Sequence, residues 1–87
     1  MIDVEKTGEG AFTVTVEDAT ETTHEVTVDT AYWQELTGGA VSMETLVEES
    51  FEFLLEREPN TSILPSFNLS SITRYFPEYE DEIKKRV

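Results

Sequence analysis

In the segment Ala11-Phe12-Thr13-Val14-Thr15-Val16-Glu17 the large apolar side chains fall at every second position. Side chains alternate across an extended strand, so Phe12, Val14 and Val16 share one face and the threonines the other. His24-Glu25-Val26-Thr27-Val28-Asp29 repeats the pattern with Val26 and Val28. The polar run Asp18 to Thr23 between them predicts a hairpin connection of about six residues and an antiparallel pair. Ile2 and Val4 alternate with Asp3 and Glu5 ahead of Gly8-Glu9-Gly10, which adds a candidate third strand. A sheet this small, apolar on one face only, does not stand alone in water and needs a helix laid across it.

The helices follow. Asp29 or Thr30 caps a short one whose stripe is Tyr32, Trp33 and Leu36, stopped by Gly38-Gly39. Ser42 caps the longest. At 100° per residue, Met43, Leu46, Val47, Ser50, Phe51, Phe53 and Leu54 share one broad face, opposite Glu48, Glu49, Glu52 and Glu56. That face is wider than one sheet needs, so this central helix is expected to pack on the sheet and on later helices. Pro59 ends it, and Ser62-Ile63-Leu64-Pro65 has room only for a turn. Asn68 caps a helix carrying Leu69, Ile72 and Phe76; Pro77 closes it and opens the last one. In that last helix Glu80/Lys84, Asp81/Lys85 and Glu82/Arg86 have the spacing of helical ion pairs, and Tyr79 and Ile83 face inward. The fold class predicted is α+β, a small antiparallel β-hairpin or three-stranded meander followed by a long central helix and two or three short helices.

At 87 residues, one domain spanning 1–87 with a modest core is the expectation. So short a chain gains from association, because a partner hides apolar surface it cannot cover itself; a homodimer or a protein partner is expected. There is no cysteine, hence no disulfide, thiolate metal site or cysteine nucleophile. The opening residues lack a basic-then-apolar leader, and no long apolar run follows, so a cytoplasmic protein without membrane contact is predicted. Asn60-Thr61-Ser62 and Asn68-Leu69-Ser70 match the glycan-acceptor pattern but read better as turn and capping residues.

With 19 acidic and 6 basic residues the formal net charge is −13. Such a field repels nucleic-acid phosphates and anionic membranes. It fits a solvated acidic surface adapted to high salt, a basic protein partner or mimicry of a nucleic-acid backbone. Screening this self-repulsion is expected to stabilise the fold, so the melting temperature should rise between low and molar NaCl; a flat or falling curve would refute this.

From Ser50 to Tyr79 the chain reads S-F-E-F-L-L-E-R-E-P, then S-I-L, then F-N-L-S-S-I-T-R-Y-F-P-E-Y. This pattern resembles a family of short prokaryotic proteins of unassigned activity that carry a strand hairpin ahead of it. The resemblance covers about a third of the chain at motif level. It implies an α+β fold and supplies no catalytic residue to carry over.

Chemistry-bearing constellations are sparse. His24 is the only histidine and lies in phase with Val26 and Val28, where a buried, hydrogen-bonded ring is the ordinary outcome. No nucleophile elbow, paired histidine, calcium loop or phosphate-binding glycine loop is present, so no cofactor and no metal is predicted. The region from Glu44 to Tyr75 could mimic a DNA-reading motif, but its second helix offers only Arg74 as a cation. In a chain with 6 basic residues, one or both of Arg57 and Arg74 are expected to clamp a carboxylate or loop carbonyls and so fix how the C-terminal helices dock. The leading function is a small non-enzymatic interaction or regulatory protein with an aromatic surface around Trp33, Tyr75, Phe76 and Tyr79. The alternative is a small hydrolase or ligand-binding enzyme using His24 with carboxylates, and the third reading is nucleic-acid binding.

Overall fold

The computed structural model describes residues 1–87. Strands β1 (Ile2–Gly8), β2 (Ala11–Glu17) and β3 (Glu21–Thr27) form an antiparallel meander, and helices α1 (Thr30–Thr37) and α2 (Met43–Leu55) follow. A 3-10 turn at Asn60–Ser62 leads into a short strand β4 (Ser66–Asn68). A second 3-10 turn at Leu69–Ser71 then runs into α3 (Ile72–Tyr75), and α4 (Tyr79–Arg86) completes the chain. The architecture is α+β, with strand order β1-β2-β3-β4.

The strands differ from expectation in two places. The β2–β3 connection is Asp18–Thr20, shorter than the six residues anticipated, because the polar residues Glu21, Thr22 and Thr23 already pair with Glu17, Val16 and Thr15. Ser62–Pro65 holds no more than a turn, as expected, but a fourth strand that the sequence did not signal follows it: β4 joins the sheet parallel to β3, Phe67 beside Val26. At the β1–β2 end, Gly10 takes φ 63°, and its carbonyl accepts the Val28 N–H at 2.8 Å. A Cβ there would lie 2.5 Å from the Val28 carbonyl oxygen, so the close approach as well as the dihedral requires glycine.

Phe12, Val14, Val16, His24 and Val26 project from one sheet face onto α2, whose Leu46, Val47, Ser50, Phe51, Phe53 and Leu54 are all buried. The opposite face carries threonines and carboxylates, with Thr13 donating to Glu25 at 3.0 Å. Ser42 caps α2 by accepting the Thr45 N–H, and Gly38 at φ 62° ends α1, both where the sequence places them.

The last helix is held by four polar contacts. Ser50 donates its hydroxyl to the Leu46 carbonyl, so at 2.6 Å the Tyr79 hydroxyl is the donor to Ser50 Oγ. The Tyr32 hydroxyl donates to Glu80 at 2.8 Å. Arg57 reaches Glu78 at 3.0 Å, and Arg86 reaches Glu56 at 2.6 Å. The three ion pairs anticipated along α4 are replaced: Arg86 leaves Glu82 for Glu56 on α2, and Lys85 pairs with Glu82 at 3.5 Å. Tertiary packing put a better acceptor beside Arg86 than its own helix offered.

Candidate functional site

The four aromatic side chains expected on one surface do not share it. Tyr79 is fully buried, its ring edge-on to Phe53 at 5.2 Å, and burial pushes its hydroxyl above the usual phenol range. It belongs to the core. Trp33 is half-buried, and its one polar atom, Nε1–H, donates to the Val41 carbonyl at 2.8 Å, tying down the α1–α2 loop. Phe76 packs edge-on against Phe53 at 5.9 Å. Only Tyr75 stands out in solvent, 64% exposed.

Tyr75 has a companion the sequence did not flag. The exposed large apolar side chains are Met1, Leu64 and Tyr75, and the last two border the same crevice. Leu54, Ile63, Phe67, Ile72 and Phe76 line it, with Glu58 and Ser71 at its polar margin. Burial against this apolar wall raises the Glu58 carboxyl above the ordinary carboxylate range. The crevice encloses about 30 Å³, against the roughly 300 Å³ or more typical of metabolite pockets. It suits the tip of one apolar side chain. Leu64 eluded sequence reasoning because it follows a 3-10 turn and precedes a proline, where no periodicity marks a face.

His24 is 2% exposed and its ring lies 5.4 Å from that of Phe51. Its Nδ1 lies 2.8 Å from the Leu64 carbonyl, which can only accept, so Nδ1 carries the proton. Nε2 then accepts from the Thr22 hydroxyl at 2.9 Å, and Thr22 Oγ1 accepts from the Asn60 side-chain amide at 3.0 Å. The same amide donates to the Thr20 carbonyl at 2.6 Å. The network fastens the Asn60–Leu64 segment to β3 and leaves neither imidazole nitrogen free for a substrate. Its partners are a carbonyl and a hydroxyl, not the carboxylate that the hydrolase reading requires.

Arg57 and Arg74 part company. The guanidinium of Arg57 lies 3.7 Å above the Phe53 ring, donates to the Phe53 carbonyl and bridges Glu56 and Glu78. Arg74 is exposed on α3 and forms no ion pair, so of the two arginines it is Arg57 that is clamped. Arg86 holds the Glu56 carboxyl below its ordinary value; the Glu78 backbone N–H, then Arg57, do the same for Glu78. Both carboxylates therefore favour the fold above their unfolded-state values, and that contribution is lost as pH falls through the depressed folded ones. Replacing Arg57 by alanine is expected to cost about 1 kcal/mol through the lost ring stacking and bridges. Arg74→Ala should stay within about 0.5 kcal/mol of the parent. Thermal melts of the two variants, side by side, check this, and equal melting temperatures would sink it.

The second helix of the DNA-reading arrangement is only Ile72–Tyr75, too short to lie along a groove. No group of histidines and carboxylates is placed to hold a metal ion, and no helix is long and apolar enough to cross a membrane. No protein-family model matches this chain, and neither does any curated protein or solved structure.

Proposed function

We propose that this chain is a small non-enzymatic interaction or regulatory domain of the cytoplasm, and that it binds a protein partner through the crevice between Leu64 and Tyr75. The observation that carries the reading is the convergence of two of the three exposed large apolar side chains on one apolar cleft. Scattered single exposures are ordinary, whereas two flanking a lined crevice match the anchor pockets of protein interfaces. The lack of cysteine suits a reducing compartment.

Selection from a random peptide display library tests it. Enriched peptides should share one aromatic or branched aliphatic anchor and should lose at least ~10-fold in affinity for a Leu64→Ser/Tyr75→Ser variant. Both side chains are exposed, so the variant keeps its core. Peptides that bind parent and variant equally, or a library that yields none, would refute the assignment.

A further inference from the structure

The sheet ends on two edges, one of them formed by β1, against which α2 packs. The Glu17 N–H donates to the Met1 carbonyl at 2.9 Å, and the Met1 nitrogen donates back to Glu17 at 2.8 Å. Antiparallel ladders alternate bonded and unbonded pairs. Counting on from Met1 and Glu17, the bonded pairs are Asp3 with Thr15 and Glu5 with Thr13. The N–H and C=O groups of Ile2, Val4 and Lys6 therefore point away from β2, and no strand lies beyond them. A proline-free row of unpaired donors and acceptors is the geometry on which sheets accept an added strand.

What borders this edge decides what can occupy it. Beside it runs an open groove of about 430 Å³ with Met1, Ile2 and Leu55 as apolar floor and Glu48, Glu52 and Glu56 as rim. Asp3 and Glu17 border a second hollow at the end of the same strand. Glu49, next along α2, has its carboxyl raised above the ordinary value by partial burial first and by the charge of Glu52 second. Arg86, which reaches this rim, is already bonded to Glu56 at 2.6 Å.

We propose that the free edge of β1 binds a basic extended segment of another protein by strand addition, with alternate Lys or Arg side chains of that segment meeting Glu48 and Glu52. A second copy is the wrong occupant, since it would set the same carboxylates against these and bring another −13 of charge. The proposal rests on the interaction-domain reading but places the contact on the sheet edge opposite the Leu64–Tyr75 crevice.

The probe is a short synthetic peptide alternating Lys and Val, with two companions: one carrying Glu in place of Lys, and one N-methylated at alternate residues with the charge unchanged. Binding to the full chain is followed by backbone amide shifts and amide exchange. The basic peptide should shift and protect the Ile2, Val4 and Lys6 amides. N-methylation, molar NaCl and the exposed-face variant Glu48→Lys/Glu52→Lys should each weaken it at least ~10-fold. Equal binding of the N-methylated peptide would reduce the edge to an electrostatic patch, and equal binding of the acidic one would remove the charge argument; either overturns the proposal. Shifts at Leu64 and Tyr75 instead would overturn the edge assignment and leave the interaction reading standing. Concentration-dependent β1 shifts without peptide would make a second copy the occupant. No shift anywhere also ends the proposal, while the display selection judges the crevice independently.

Discussion

Phe51→Ala is expected to lower unfolding stability by about 3–5 kcal/mol, the range for deleting a fully buried phenylalanine ring. The residue has no exposed surface; its ring meets His24 at 5.4 Å and Phe67 at 5.9 Å. It thus ties α2 to β3 and β4 at once. An 87-residue domain has a total stability of roughly 4–13 kcal/mol, so the variant should sit near or beyond the unfolding threshold at room temperature. Urea titration followed by Trp33 fluorescence measures this. Phe51→Leu, which refills most of the volume, should recover more than half of the loss. A Phe51→Ala midpoint equal to that of the parent would mean that α2 does not press on the sheet, and the architecture would fall with it.

Legibility in the sequence followed the range of the forces involved. Strands β2 and β3 and helix α2 each carry a periodicity of their own, so Phe12, Val14, Val16 and the broad stripe from Met43 to Leu54 reveal their buried faces within a single window. Strand β4 has no such signature. It is three residues long, holds one apolar side chain, Phe67, and follows Pro65. What places it is long-range: the Glu25 N–H donates to the Pro65 carbonyl at 2.8 Å, and His24 grips Leu64. The ion pairs of α4 failed for the same reason. Spacing four residues apart compares a lysine or arginine only with acids on its own helix, and Glu56 lies on another.

The candidate surface was legible in part. Tyr75 and Tyr79 are four residues apart and would lie on one face of a continuous helix, but Pro77 intervenes and they sit on α3 and α4. The break sends Tyr79 inward to Ser50 and leaves Tyr75 outside. The sequence marks Asn60 only as a turn residue; its burial at 4% exposed and its three amide contacts depend on where Val16, Thr20 and Thr22 lie, which no local pattern states. Arg57 was recognisable as an anchor because cations are scarce in this chain, though its seat on Phe53 needed the fold to appear.

The same long-range network predicts the second large effect, at His24. Replacing it by leucine fills most of the space with apolar atoms but strands the Leu64 carbonyl and takes from Thr22 its hydroxyl acceptor, both bonds being part-buried. Leaving such groups unpaired costs about 1–3 kcal/mol each, and a well-filled cavity limits the rest, so a loss of about 2–4 kcal/mol is expected. Its location distinguishes it from ordinary core damage. Because the Asn60–Leu64 segment and β4 are held to β3 by these bonds, the Glu25 amide, which donates to Pro65, should lose exchange protection well before the amides of β2 do. His24→Gln, which keeps one donor and one acceptor, should restore part of both the stability and the protection. If His24→Leu matches the parent in both measurements, the imidazole is not what fastens the last strand, and a free role for that ring would have to be sought.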